Sequence, residues 1–234
     1  MSNVNASYDA WHTRHAVDDG ISTPWHQLAA GLLNSDSDLK ARRVLEIGCG
    51  RGGFARWLEL QGAQLVAADF SEAALRMAQE HFSDSSIHWT QQDIQRLTFP
   101  DESFDTVISC ETVEHVPRPR QALGELTRVL RSGGTLILTC PNYLGSMGLY
   151  RLYLRLTGRR FTEEGQPINQ FVTAPVILYW LRSAGLAVED FRGHGHYLPV
   201  PGRPPLRAEI LDRFGILRLF ALHTAFRARK GTKR

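Results

Sequence analysis

The sequence predicts an α/β fold in which a doubly wound, mostly parallel sheet carries helices on both faces. The first reason is the stretch 44–60, where a short apolar segment, Val44 to Ile47, leads into a glycine-rich turn and then into helical spacing. The second reason is that strand-length apolar segments and helical segments alternate from there to about residue 190. Such alternation implies right-handed crossover connections and a parallel sheet.

The individual elements follow from local patterns. Pro24 after a possible cap at Thr23 starts a helix, Ser71 caps another, and a glycine pair at 133–134 ends a third. Helices are predicted at 24–33, 54–60, 72–82, 121–130, 144–158 and 173–184, and strands at 44–47, 65–68, 87–90, 104–109, 135–139 and 187–191. Residues 2–20 are polar with scattered aromatic side chains, and 34–40 form a polar turn.

Composition indicates a single globular domain, since 234 residues with 43% hydrophobic and 22% charged positions can bury a substantial core. No apolar stretch approaches the roughly 20 residues of a membrane span, and the first residues lack a secretory signal. Cys49, Cys110 and Cys140 form no C-x-x-C pair, so we expect neither a disulfide framework nor a metal site. A cytoplasmic location is the expectation that fits this cysteine usage.

The glycine turn alone leaves two cofactors open. Gly48, Gly50 and Gly53 satisfy the dinucleotide fingerprint, whereas Gly48, Gly50 and Gly52 satisfy the pattern of enzymes that use S-adenosylmethionine (SAM). Asp69 ends the next apolar segment about 20 residues later, where either cofactor's ribose hydroxyls would be bound. A nicotinamide-dependent oxidoreductase therefore remains an alternative at this point.

Five segments, in order and spacing, carry a family resemblance: EIGCGRG at 46–52, AADFS at 67–71, QQDI at 91–94, FDTVISCETVEHV at 104–116 and LTRVLRSGGTLIL at 126–138. Over about residues 40–190 the chain resembles a class I SAM-dependent methyltransferase, of the small-molecule branch that includes quinone and sugar methyltransferases. The resemblance implies SAM as cofactor and a seven-stranded sheet whose last strand, expected at 219–226, runs antiparallel beside the fifth. The nicotinamide alternative explains only the first two segments.

The resemblance also implies a set of cofactor-binding residues: Glu46, Gly48, Gly50, Gly52, Asp69, Phe70, Asp93, Ile94 and Cys110. Glu46 would lie near the ammonium group and Asp69 would accept both ribose hydroxyls. Phe70 would lie along the adenine, whose edge Asp93 and the backbone N–H of Ile94 would bind. The glycines would face the methionine end. Taken alone, each aspartate could instead cap a helix.

Catalysis on such a cofactor is first a matter of positioning, since the sulfonium already activates the methyl group. His115 is the candidate general base for a hydroxyl acceptor, with Glu111 and Glu114 as carboxylates that could orient it. The alternative is that the Glu-His pair only organises its loop. Cys110 and Glu111 end the fourth strand, where the resemblance places the methyl group.

The expected reaction is O-methylation of a small or lipophilic acceptor, with N- or C-methylation as the alternative. A nucleic-acid methyltransferase is a further alternative, because residues 202–234 carry nine Lys and Arg against two Asp and Glu. Against it, residues 107–116 lack the Asn-Pro-Pro-Tyr type of loop that enzymes methylating base amino groups carry.

Three segments outside the five matching blocks are expected to shape the substrate site. Residues 1–40 would cover the cofactor, and the insertions 143–172 and 193–218 would form a substrate lid. Arg151, Arg155 and Arg159 lie four residues apart among apolar side chains. This pattern predicts a lid or dimer contact, with an interfacial helix on an anionic membrane as the alternative and a peripheral inner-membrane location as its corollary. The pair His194 and His196 predicts a pocket wall, and four prolines at 199–205 predict a stiff loop.

Overall fold

A computed structural model describes residues 2–14, 20–159, 161, 166–198, 200, 203 and 206–232. Its main feature is a seven-stranded sheet in the order β3-β2-β1-β4-β5-β7-β6. The strands are β1 (Arg43–Ile47), β2 (Gln64–Asp69), β3 (His88–Gln91), β4 (Phe104–Cys110), β5 (Leu130–Pro141), β6 (Leu186–His194) and β7 (His223–Lys230). Strands β1 to β5 pair in parallel, and β7 runs antiparallel between β5 and β6. The predicted fold class is confirmed.

Helices cover both faces of this sheet. They are α1 (Ser2–Arg14), α2 (Pro24–Leu32), α3 (Gly53–Leu60), α4 (Glu72–His81), α5 (Pro119–Val129), α6 (Ser146–Leu156) and α7 (Ala174–Ser183). One apolar cluster lies under α2, α3 and α4 and contains the fully buried Phe54 and Leu58. The other lies under α5 and α7 and contains Leu126 and Ile177. Each face of the sheet therefore has its own core.

The topology brings several strand ends to one edge of the sheet. Because β1, β2, β4 and β5 are parallel, Ile47, Asp69, Cys110 and Pro141 end at the same edge. Strand β7 is antiparallel, so its first residue, His223, starts at that edge. Open α/β sheets bind ligands at the carboxyl ends of their strands, and this edge is where the site is found.

The seventh strand starts later than predicted. The sequence analysis expected it at 219–226, but a 3₁₀ turn occupies Gly215–Phe220 and the strand runs from His223 to Lys230. Its outward-facing arginines disguised it, because Arg227 and Arg229 look like loop residues until their ion pairs with Glu189 are known. Three of the nine basic residues of the C-terminal stretch, Arg227, Arg229 and Lys230, thus belong to the sheet.

The chain before β1 also differs from the sequence prediction. Residues 2–14 form a helix, although their polar composition gave no helical pattern. The polar turn contains a π-helical turn at Ser35–Leu39, and Asp38 at its end is buried. Burial acts to raise the pKa of Asp38, but hydrogen bonds led by that from Arg227 lower it; the guanidinium Nη1 lies 2.5 Å from Asp38 Oδ2. This ion pair fastens the entry segment to β7.

Three further predictions concern membrane-spanning helices, metal sites and the proline-rich loop. No described helix is both long and apolar enough to cross a bilayer. Within the described ranges, no group of three or more His, Cys, Asp or Glu side chains is placed to bind a metal ion. The predicted stiff loop lies largely outside the described residues, since Pro199, Pro201, Pro204 and Pro205 are not among them.

Candidate active site

The glycine turn after β1 is the first part of the site. Gly48 has φ +81°, and a Cβ there would lie 2.2 Å from Thr112 Oγ1, so no larger residue fits. Gly50 also has positive φ and faces His12. Gly52, the N-cap of α3, is required for packing instead, because a Cβ on it would lie 2.4 Å from the ring of Trp89. The backbone at Gly48 and Gly50 therefore faces the carboxyl ends of the strands, whereas the end of the turn at Gly52 is packed against other side chains.

Asp69 at the end of β2 supports this turn. Its Oδ2 accepts a hydrogen bond from the Gly50 N–H and its Oδ1 one from the Ser71 N–H, both at 2.8 Å. The carboxylate is only 7% exposed, yet it lies on the wall of a cavity. Each carboxylate oxygen can accept more than one hydrogen bond, so a ligand diol can still be bound there.

The cavity above the turn has a volume of about 410 Å³. Most of the predicted residues line it: Gly48, Gly50, Asp69, Phe70, Asp93, Ile94, Cys110, Glu111 and His115. All of the predicted residues are among those that the structure describes, and two of them, Glu46 and Gly52, do not line the cavity. Helices α1 and α2, both from the segment 1–40 that was expected to cover the cofactor, supply six further lining residues: Val4, Tyr8, Trp11, His12, Trp25 and His26.

Glu46 lies directly below the turn, in β1. It is 2% exposed, and its Oε2 has no hydrogen-bond partner among the described residues. Burial, and secondarily the charge of Asp69, raise the pKa of Glu46 from 4.5 to about 8. A cationic ligand group over the turn would favour the ionised carboxylate. The unpartnered acid Glu46, the turn at Gly48 with no room for a Cβ, and the diol acceptor Asp69 together fit a nucleoside that carries an amino-acid chain, such as SAM.

The second end of this cofactor site lies beyond β2 and β3. Phe70 forms an edge-on contact with Tyr8, with ring centroids 6.4 Å apart. Asp93 Oδ1 accepts hydrogen bonds from the backbone N–H of Gln95 at 2.9 Å and from its side-chain amide at 3.2 Å. Asp93 thus stabilises a turn and does not cap a helix, which was the alternative interpretation, and it also lines the cavity. Stabilising the turn and binding a ligand are compatible here because a carboxylate accepts several hydrogen bonds.

His115 lies on the opposite side of the glycine turn, in a 3₁₀ turn that follows β4. Its Nδ1 is 2.8 Å from the Ile168 carbonyl oxygen, which can only accept, so Nδ1 carries a hydrogen. Its Nε2 lies 3.4 Å from Glu114 Oε1. The carboxylate placed against the ring is therefore that of Glu114. Glu111 has φ +45° and lines the cavity, with its N–H donated to Thr139 Oγ1 at 3.1 Å.

Helix α1 covers the cavity through specific contacts. The Tyr8 hydroxyl donates to the His115 carbonyl at 2.8 Å, and Arg51 Nη2 donates to the His12 carbonyl at 2.6 Å. Asp9 Oδ1 accepts from the Ser71 hydroxyl at 2.5 Å and from the Ala73 N–H at 3.2 Å, which satisfies donors in the first turn of α4. The role of residues 1–40 as a cover for the cofactor stays a prediction.

The two insertions differ in their relation to the cavity. Gln166 and Ile168, from the insertion 143–172, line its wall, whereas the described part of 193–218 contributes no lining residue. His196 in that second insertion is bound internally: Nδ1 lies 2.7 Å from Asp212 Oδ1 and Nε2 lies 2.9 Å from the Leu217 carbonyl. It fastens its own segment.

Comparison with known proteins identifies the chain. A family model described as a methyltransferase domain matches residues 45–138. A ubiquinone biosynthesis O-methyltransferase of Xanthomonas oryzae pv. oryzae is 30% identical over 182 residues, which cover 75% of this chain and 76% of the relative. The chain belongs to the class I SAM-dependent methyltransferases. A second relative of the same description, from Alkalilimnicola ehrlichii, is 29% identical over 199 residues, covering 80% of this chain and 79% of that protein.

Solved structures agree on the fold of this methyltransferase. A SAM-dependent methyltransferase from Mesorhizobium loti has a TM-score of 0.64 at 19% identity, covering 89% of this chain and 99% of that one. One from Methanosarcina mazei has a TM-score of 0.61 at 19% identity, with coverages of 87% and 97%. SAM is the cofactor of this enzyme, and the nicotinamide alternative is discarded.

Proposed function

We propose that this methyltransferase transfers a methyl group to a hydroxyl of a small, lipophilic acceptor. The observation that carries the proposal is the orientation of His115. Its Nδ1 hydrogen is used by the Ile168 carbonyl, so Nε2 is the nitrogen able to take a proton. The curated relatives are named O-methyltransferases of ubiquinone biosynthesis, and a hydroxyl acceptor on a lipophilic molecule agrees with those names.

The chain's own residues have separable tasks in this proposal. Asp69 and the backbone around Gly48 would bind the nucleoside and amino-acid parts of SAM, and Glu46 would supply a negative charge that favours its ammonium group. Bound SAM supplies an already activated methyl group. His115 takes the hydroxyl proton at Nε2, and the charge then formed on the ring lies beside Glu114, 3.4 Å away. Glu111, directly after β4, lines the same cavity and limits the space left for the acceptor.

The test compares His115→Ala with His81→Ala, an exposed histidine at the end of α4. The acceptor is 4-hexylcatechol with labelled SAM, and 4-hexylaniline serves as the matched amine. Loss of the base should lower kcat by about 10²–10⁴-fold while the Kd of S-adenosylhomocysteine stays unchanged. Normal turnover in His115→Ala would exclude the base role. Methylation of the aniline but not of the catechol would point to N-methylation instead.

We also propose that the enzyme works in the cytoplasm and touches the inner face of an anionic membrane through α6. Leu149, Leu152 and Leu156 are exposed on this helix, and Arg155 is exposed beside them. Arg151 does not belong to this face, because its guanidinium carbon lies 4.1 Å from the Tyr143 ring centroid and packs among aromatic rings. The three-arginine stripe is thus reduced to Arg155 and Arg159.

The second insertion extends this face. Gly145, just before α6, packs against the backbone of Phe220, so the 3₁₀ turns of the second insertion lie next to the helix. They expose large apolar side chains, including Phe214 and Ile216, the latter 85% exposed. An apolar surface edged by arginines is the composition that interfacial segments use on anionic lipid. The same segments can still act as the substrate lid, since an acceptor dissolved in a membrane would enter beside them.

Liposome co-sedimentation tests the membrane contact. The Arg155→Glu variant is compared with Arg120→Glu, which makes the same charge change at an exposed position of α5. We expect the native chain and Arg120→Glu to sediment with phosphatidylglycerol vesicles, and Arg155→Glu to stay in the supernatant. Equal sedimentation of both variants, or binding to RNA with a steep salt dependence in place of vesicles, would contradict the membrane assignment.

A further inference from the structure

The cavity has two chemically different ends, separated by the glycine turn and β4. Asp69 at the end of β2, and Asp93 after β3, lie on one side of β1. Helix α2 packs instead on β5 and β7, on the other side of β1. Trp25 and His26, at the start of that helix, line the cavity from there. Their side chains are thus remote from the sugar and base end of the cofactor site.

Both rings are held in place before any ligand binds. The N-cap Thr23 accepts a hydrogen bond from the His26 N–H, which fixes the first turn of α2. His26 stacks on the buried Phe54, with centroids 4.6 Å apart and planes 12° from parallel. Trp25 lies against His223 at the start of β7, with centroids 5.5 Å apart. Such support from packed neighbours is what a rigid binding surface needs.

We propose that Trp25, with His26 beside it, is the surface on which the aromatic ring of the acceptor is bound. The inference rests on the proposed function and adds the residues that select the acceptor. Trp25, His115 and Glu111 all line the cavity from the side of β1 that carries β4, β5 and β7, so a planar ring against Trp25 would lie on the same side as His115. Aromatic pairs gain attraction beyond their buried area, so a ring is preferred over a saturated cycle.

A packing role is the competing explanation for Trp25, and two matched ligands separate it from ring recognition. One is 4-hexylcatechol and the other is the saturated 4-hexylcyclohexane-1,2-diol, which keeps both hydroxyls and the tail but lacks the aromatic ring. Binding of each to the S-adenosylhomocysteine complex is measured by calorimetry. The variants are Trp25→Leu, which keeps an apolar side chain, and Trp180→Phe, a control on α7 at the opposite face of the sheet.

We expect the native enzyme and Trp180→Phe to bind the catechol about 10-fold more tightly than the saturated diol. Trp25→Leu should lose this preference while its Kd for S-adenosylhomocysteine stays unchanged. An equal preference in Trp25→Leu, a parallel fall in S-adenosylhomocysteine affinity, or no binding of the catechol to the native enzyme would overturn the assignment. Catechol binding that depends on Trp25 without methyl transfer would instead leave the ring surface standing and refute O-methylation.

Discussion

Replacing Glu46 by glutamine should make the ligand-free enzyme more stable at neutral pH. Burial and the neighbouring charge of Asp69 raise the pKa of Glu46 to about 8, so the folded state keeps this carboxyl protonated at pH 7. The unfolded chain ionises it above its ordinary pKa of 4.5. Folding therefore takes up a proton between these two values, and the free energy of unfolding falls as the pH rises through that window.

The size of the effect follows from the two pKa values. The penalty that Glu46 imposes is below about 1 kcal/mol at pH 5, about 3 kcal/mol at pH 7 and about 5 kcal/mol above pH 8, at 1.36 kcal/mol for each pH unit. Glutamine has nearly the same shape and no charge, so the variant should escape this penalty. At pH 7 we expect its Tm to rise by about 6–12 °C, with the difference shrinking toward pH 5.

Two measurements check this reasoning, one on the fold and one on the ligand. Thermal unfolding of both proteins from pH 5 to 9 gives the stability difference. Calorimetric titration with S-adenosylhomocysteine in phosphate and in Tris at pH 7 counts the protons released. The native enzyme should release up to one proton, because the ligand's ammonium ionises Glu46, whereas Glu46→Gln should release none from this position and bind more weakly.

A stability difference that does not change from pH 5 to pH 9 would show that Glu46 is already ionised in the fold, and the argument from burial would fail. A stability difference of the expected form, combined with no proton release on binding, would contradict only the placement of the ligand's ammonium group over Glu46. The carboxyl would then be buried and neutral as argued, but the ammonium of the ligand would lie elsewhere.

Three further outcomes are expected. Arg227→Met leaves Asp38 buried without its counter-charge and should cost about 3–5 kcal/mol of unfolding free energy, read from urea denaturation, with Asp38→Asn partly restoring it. Asp212→Asn should speed hydrogen exchange over 206–222. Burial acts to raise the pKa of Asp212, but hydrogen bonds led by that with His196 lower it. The ionised carboxylate therefore stabilises the native fold at pH values above the ordinary pKa of an aspartate. This stabilisation disappears as the pH falls through the lowered pKa. Gly48→Ala forces a Cβ to 2.2 Å from a threonine oxygen, and its Kd for S-adenosylhomocysteine should rise by at least about 10-fold; an unchanged Kd would show that the turn tolerates a side chain.

Much of the fold was predictable because short-range sequence patterns determine its elements. Apolar strands, a glycine turn and helical spacing between them are short-range signals, and β1 with α3 was predicted nearly residue for residue. The exceptions depend on distant partners. Strand β7 lies inside the sheet and carries Arg227, whose largely buried charge is acceptable because Asp38 and Glu189 lie against it. Helix α1 has no apolar stripe, since polar contacts such as that of Asp9 with Ser71 hold it.

The two ends of the site differ in the same way. The cofactor end is built from main chain and from carboxylates at strand ends, so sequence spacing located Asp69, and the family resemblance located Asp93, on the cavity wall. The acceptor end is built from helices and loops outside the sheet. Nothing in the sequence around Trp25 says that α2 packs on β7, and this packing is what brings the ring to the cavity. Likewise, the sequence left open whether Glu111 or Glu114 lies beside His115, and the conformation of the 3₁₀ turn at Val113–His115 places Glu114 there.

Helix α1 joins these two ends through a single side chain. Tyr8 meets Phe70 on the cofactor side with its ring, and on the acceptor side its hydroxyl donates to the His115 carbonyl. Burial, reinforced by the charge of Glu114, raises the pKa of Tyr8, so the hydroxyl stays a donor over the working pH range. Any displacement of α1 that opens the nucleoside end must therefore remove a hydrogen bond from the turn that positions His115.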